Sequence, residues 1–249
     1  MAAAFAANLT KVLGSRKVIR WQASGNLCRI NTEAKERGDI RMKKVWKVLG
    51  ALLAAAAICV TIAVLPTVCR GVSMYHEAIG AKEIATAVQE VRAEDGYAKL
   101  DQISDEFISQ VIHSEDRRFY FHCGIDPIAT ARALFHDLQA GAFVEGGSTI
   151  TQQLAKNLYF SGEKKCERKV AELLVAFDLE RKLTKNQILE LYCNIAYFGE
   201  GCYGIGEAAR HYYGVDSGAL NASEAKSLVF TLKCPNEYNP NVYQPLAVG

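Results

Sequence analysis

The sequence predicts a mainly α-helical protein with one membrane-spanning helix near its N-terminus. Three observations predict it. Residues 48–68 form an uncharged, apolar run of 21 residues. Further on, helix start and stop signals recur: Ser104, Asp126-Pro127, Thr184 with Gln187, Asn221 with Glu224, and the stops Gly141 and Gly214. Between these signals the apolar residues step by three and four, with little of the two-residue alternation of a strand.

The N-terminal segment, 1–47, carries eleven Lys or Arg against three acids. It lacks sustained periodicity as far as Arg41, so it reads as a disordered cytoplasmic tail, or in part as an extension ahead of a natural start at Met42. The run that follows would span about 31 Å as a helix, the thickness of a bilayer core. It has no polar face, which argues against a buried core helix, and it is longer than the core of a cleaved signal peptide. Lys43, Lys44 and Lys47 precede it and Arg70 alone follows closely. The positive-inside bias therefore places the N-terminus in the cytoplasm and the body outside. The expected divisions are a tail at 1–47, a transmembrane helix at 48–69, a membrane-proximal connector at 70–96 and the main domain at 97–249.

Within the body, Ser104 caps a helix whose apolar stripe is Phe107, Ile108, Val111 and Ile112. Asp126 and Pro127 open a second helix that Gly141 ends. Gly146-Gly147 leads into a third, with Ser148 as the expected cap and Ala155 in its last turn. Residues 164–182 read as a strong helix with Val170, Leu173, Leu174 and Phe177 on its packed side. A capping box at Thr184 opens the helix through Tyr192. Residues 203–213 form another, and Asn221 opens the last, with Pro235 and Pro240 marking the exit.

The net charge of +2 hides an uneven distribution: from Arg70 onward 18 basic residues face 24 acidic ones. An acidic body excludes nucleic acid as an expected partner. Eight cysteines include no C-x-x-C pair, so no zinc ribbon or redox motif is indicated, and they read as small packing residues. His113, His122 and His136 have no metal-ligand spacing, and His122 reads as a hydrogen-bonded structural histidine.

The residues that can carry chemistry cluster between 115 and 172. Glu115 continues the Phe107–Val111 stripe in steps of four. A carboxylate held against apolar neighbours suits proton transfer; its bland alternative is a helix-end ion pair with Arg117 or Arg118. Ser148, Thr149, Gln152, Gln153, Lys156 and Asn157 surround one helix start, with Gln153, Lys156 and Asn157 on one face. Helix-start N–H groups and an ammonium make a place for anionic oxygen, while the ordinary reading is a solvated polar face. Arg168 and Glu172 share a face four residues apart, as in many surface salt bridges.

Five segments together resemble the peptidoglycan glycosyltransferases, both the monofunctional biosynthetic transglycosylases and the first catalytic domain of class A penicillin-binding proteins. They are Glu115-Asp116-Arg117-Arg118-Phe119-Tyr120-Phe121-His122, the run from Gly146-Gly147-Ser148-Thr149 through Gln152-Gln153-Leu154-Ala155-Lys156-Asn157, Arg168-Lys169-Val170-Ala171-Glu172, the stretch 185–194, and Tyr197-Phe198-Gly199 leading to Gly204 and Gly206. Their order over roughly 97–240 makes the signal specific. The resemblance implies a lysozyme-like, two-lobed helical domain. It implies a polymerase that transfers growing glycan from undecaprenyl diphosphate to the 4-hydroxyl of the N-acetylglucosamine of lipid II, with inversion.

In that reading Glu115 is the general base and Glu172 the second catalytic carboxylate, which holds Lys156 and Arg168, or a divalent cation such as Mg2+, against the leaving group. Ser148, Thr149, Gln153, Lys156, Asn157 and Arg168 bind the diphosphate and neighbouring sugar. No protein-bound metal and no certain cofactor are implied. Asp116 orients a helix end, Phe119 belongs to the core, and Asn194, Tyr197 and Gly199 are structural. The implied setting is the cytoplasmic membrane, single-pass, N-terminus inside, with the domain on the periplasmic or extracellular side near cell-wall synthesis or division proteins. Only 241–249 follow Pro240, so the chain reads as monofunctional or truncated. The rival functions are a lysozyme-like glycan-cleaving enzyme and a non-catalytic membrane scaffold.

Overall fold

The computed structural model describes residues 2–142, 146–160 and 166–243, with side chains from Met42 onward. Two compact units divide the chain, Met1–Val64 and Leu65–Gly249. The first unit consists of helix: α1 runs Ala2–Ala81 and continues into the second unit. Helix therefore starts at Ala2, where the sequence reading expects irregular chain to Arg41. The opening residues are rich in alanine, the best helix former, and no proline interrupts α1 before Pro66. Within α1, residues Met42–Ala81 hold a stretch long and apolar enough to cross a membrane.

The described residues of the second unit form helices joined by turns and loops: α2 Ile84–Arg92, α3 Asp105–Glu115, α4 Pro127–Ala140, α5 Ile150–Tyr159, α6 Cys166–Lys182, α7 Lys185–Ile195, α8 Ile205–Tyr213 and α9 Ala222–Thr231. Local chemistry accounts for most of the boundaries. The Ser104 hydroxyl accepts the Phe107 N–H at the start of α3, and the Asp126 carboxylate accepts two N–H groups at the start of α4. Gly141 and Gly214 end α4 and α8 in the left-handed conformation. Capping boxes open α7 at Thr184 and α9 at Asn221.

Three expectations shift. The cap of α5 is Thr149, not Ser148: Gln152 stands at the third helical position from Thr149, and the two exchange hydrogen bonds. The helix expected from Tyr203 starts at Ile205, because Tyr203 forms an isolated bridge with Tyr197. The packed side of α6 is Ala171, Glu172, Val175, Ala176 and Leu179, whereas Phe177 is exposed. Small residues let α5 lie close against α6, and Val170 instead meets Gly71 in the second unit's part of α1.

The core runs through α5, α6 and α7 with Ile150, Leu154, Val175, Leu179, Ile188 and Leu191, and extends to Phe107 and Val111 of α3 and Ile205 of α8. α3 lies along α9. Asn194 closes α7 by clamping the chain before α3: its side chain accepts the Ala98 N–H and donates to the Ala98 carbonyl, both at 2.8 Å. Gly204 turns beside it at φ 79°, where a Cβ would overlap the Asn194 carbonyl. The structural role expected of Asn194 is seen directly. α4 packs lightly: Ala133 is its one buried residue, while Ile128, Leu134, Phe135 and Leu138 form an exposed apolar stripe.

Candidate active site

The first two turns of α5 gather the candidate residues. Asp116 sets that helix end in place. It is 6% exposed, follows directly from α3, and its Oδ2 accepts the Ile150 N–H at 3.1 Å. His122 Nε2 lies 3.0 and 2.9 Å from the two Asp116 oxygens, as expected of a structural histidine. Phe119 is fully buried beneath them. Thr149 Oγ1 donates to the Gly124 carbonyl at 2.7 Å and accepts the Gln152 N–H. The N–H groups of Ile150 and Gln152 are therefore occupied, and any anion at this helix end must rely more on side-chain cations than the sequence reading supposes. Thr151, an unfavourable residue inside a helix, is explained by its 2.6 Å hydrogen bond to Glu180 of α6.

Glu115 closes α3 half-buried, more open to solvent than its stripe predicts. Its Oε2 accepts a 3.0 Å hydrogen bond from Gln153 Nε2, and the Ser114 hydroxyl lies 3.4 Å from Oε1. The expected ion-pair alternatives are spent elsewhere. Arg117 donates to the His113 carbonyl, and Arg118 is bound to Asp126. Gln153 is held in turn by Tyr192, whose hydroxyl donates to Gln153 Oε1 at 3.2 Å. Tyr192 is 2% exposed. Burial, and then the nearby Glu115 charge, push its phenol well above the usual range, so it remains a donor. A line of hydrogen bonds from the core thus presents an amide N–H to the Glu115 carboxylate, and no cation among the described residues pairs with it. Tyr192 escapes sequence reading because it lies 39 residues from Gln153.

Glu172 has a different setting. It is 2% exposed, on the packed side of α6. Its Oε1 lies 2.8 Å from Arg168 Nε and its Oε2 3.2 Å from Lys169 Nζ. Arg168 is itself mostly buried, so this is no surface salt bridge. Lys169 also donates to Ser148 Oγ at 2.8 Å, tying α6 to the residue before the α5 cap. Among the described residues Glu172 pairs with Arg168 and Lys169, not with Lys156. The signal for Lys169 in the sequence is its place three residues before Glu172, on the same helix face. Lys156 and Asn157 are exposed on the Gln153 face of α5.

A divalent ion does not fit this donor set. Both Glu172 oxygens face cationic side chains, and the described residues include no group of three metal-ligating side chains. The arrangement combines an open carboxylate on a neutral amide with a second, buried carboxylate that fixes two cations beside the α5 start.

Comparison with known proteins gives one family. The transglycosylase family model matches residues 81–247. The chain is 45% identical over 149 residues to penicillin-binding protein 1A of Aquifex aeolicus, covering 60% of this chain and 20% of that one. It is 44% identical over 142 residues to penicillin-binding protein 1A of Vibrio cholerae, covering 57% and 17%. It is 40% identical over 165 residues to the biosynthetic peptidoglycan transglycosylase of Alcanivorax borkumensis, covering 66% and 67%. The chain thus spans about a fifth of the length of the penicillin-binding proteins it matches. On the family match and the relative from Alcanivorax borkumensis, the chain belongs to the transglycosylase family.

Proposed function

We propose that this protein polymerises peptidoglycan glycan chains, with Glu115 as the general base. The observation that carries this reading is the contrast between the two carboxylates. Glu115 is open, held by an amide and unpaired with any cation among the described residues. Glu172 is buried and committed to Arg168 and Lys169. Two carboxyl groups in such different surroundings take different roles.

The acceptor is lipid II and the donor a glycan on undecaprenyl diphosphate. Glu115 takes the proton of the acceptor 4-hydroxyl as that oxygen attacks C1 of the donor sugar. The C1–O bond to diphosphate breaks with inversion, and the diphosphate leaves with its electron pair. Arg168, Lys169 and Lys156 supply the positive charge that the leaving group needs, so no acid has to protonate it. Glu172 keeps Arg168 and Lys169 extended, Ser148 aligns Lys169, and Thr149 fixes the helix that carries Gln153, Lys156 and Asn157. The exposed α4 stripe of Ile128, Leu134, Phe135 and Leu138 suits a membrane surface, where a polyprenyl substrate resides. A glycan-cleaving enzyme would have no use for the cations around the α5 start.

The test is polymerisation of purified lipid II by the full chain in detergent. Wild type forms glycan polymer. Glu115→Gln keeps the shape and the lipid II affinity but lowers the rate by about 10² or more, the usual worth of a general base. A Glu115→Gln protein of near wild-type rate removes Glu115 from the chemistry.

A further inference from the structure

α3 and α9 lie side by side, joined where Gln110 donates to the Ala222 carbonyl at 3.0 Å. Beside this seam opens a cavity of about 890 Å³ whose wall includes Gln110, His113 and Ser114 on one side and Lys226, Phe230 and Lys233 on the other. It does not coincide with the α5 site. His113 stands about 200° around α3 from Glu115, at the helical step of roughly 100° per residue.

The chemistry of this wall is one-signed. Among the described residues neither Lys226 nor Lys233 forms an ion pair, and Lys233 Nζ stands 5.5 Å from the centre of the Phe230 ring. The acid that lines the cavity, Glu224, points back to the start of α9, where its Oε2 accepts the Asn221 N–H at 3.0 Å. Lys226 and Phe230 stand four residues apart on α9, and Lys233 follows in the turn after the helix ends at Thr231. Across the cavity Ser109 and Gln110 offer hydroxyl and amide partners for a peptide backbone. The volume suits a short oligopeptide.

We propose that the α3–α9 cavity binds a short acidic peptide through Lys226 and Lys233. Resting on the polymerase reading, the occupant is the acidic peptide borne by the glycan strand. The cavity reaches Ser114, whose hydroxyl lies 3.4 Å from Glu115, so a peptide attached to a sugar at the base has a short path into it.

The experiment measures anisotropy of a fluorescent muramoyl pentapeptide with free carboxylates, and of the same probe with its carboxylates amidated. Both are titrated with the full chain in detergent micelles. Wild type binds the acidic probe at least tenfold more tightly than the amidated one, and the difference shrinks with salt. Lys226→Gln/Lys233→Gln loses that preference; both lysines are exposed, so the variant folds, and Lys226→Gln alone gives part of the loss. Equal binding of the acidic probe by wild type and the double variant overturns the proposal, as does amidated probe bound as tightly as the acid. Lipid II polymerisation is measured on the same preparation. A wild type that polymerises but fails the peptide test loses only the cavity. A wild type that passes the peptide test without polymerising keeps the cavity and loses the polymerase reading.

Discussion

At the scale of single residues, the conjunction of Tyr192, Gln153 and Glu115 sets what the candidate base meets. An amide can present either end to a carboxylate, and only the NH2 end attracts it. The buried Tyr192 hydroxyl selects the sense by occupying the oxygen end of Gln153. Tyr192→Phe removes this selection while keeping the ring in the core. Gln153 can then turn its oxygen toward Glu115, which loses its hydrogen bond from the amide. The expected outcome is a fall in kcat of about fivefold, consistent with about 1 kcal/mol for one such bond. KM changes little. A merely structural role would lower thermal stability and leave kcat of the folded protein in place. Nothing in sequence pairs Tyr192 with Gln153, because the contact exists only once α5 and α7 pack. Glu115 itself was legible from its four-residue stripe and motif, but its half-open setting was not, since periodicity does not say how far a helix end projects from the core.

At the scale of elements, what was legible is what is local. Four of the expected caps, Ser104, Asp126, Thr184 and Asn221, act within three residues of themselves and stand where sequence places them. The α5 cap was displaced by one residue because Ser148 and Thr149 are both good caps, and only Thr149 has a Gln at the matching position. The packed face of α6 is not legible in the sequence because it uses two alanines and a buried glutamate, which carry little hydrophobic signal. The α4 start supports a pH prediction. The Arg118 hydrogen bond, aided by the Ala129 and Ile128 N–H groups, lowers the Asp126 carboxyl from an ordinary 3.8 to about 2 against the opposing effect of burial. A depressed carboxyl stabilises the fold above its unfolded value and loses that contribution as pH falls through its folded value. The window is therefore pH 4 down to 2. The size is on the order of 1 kcal/mol, since Arg118 is 39% exposed and solvent screens it. Asp126→Asn keeps a capping side chain but not the charge. Thermal melts of the full chain followed by circular dichroism should show wild type losing more of its melting temperature than Asp126→Asn between pH 4 and 2. Parallel curves would assign the acid sensitivity to other groups.

At the scale of the whole molecule, charge predicts the side of the membrane on which the site works. Lys43, Lys44 and Lys47 flank the apolar stretch on its N-terminal side, in a segment with eleven basic residues and three acids, while the body has more acids than bases. Moving the basic flank across a bilayer is the costlier topology, so the body should be the part translocated. That orientation also puts Glu115 and the Arg168–Glu172–Lys169 cluster where a lipid-linked sugar awaits polymerisation outside the cytoplasm. A reporter active only after export, fused after Gly249, should be active, and a reporter active only in the cytoplasm should be silent at the same point. Replacing Lys43, Lys44 and Lys47 with Gln should reduce exported signal, because the eight basic residues that remain in 1–41 lie farther from the apolar run and bias it less. Cytoplasmic activity of the fusion to the unaltered chain would contradict the orientation, and with it the supply of substrate on which the polymerase reading depends.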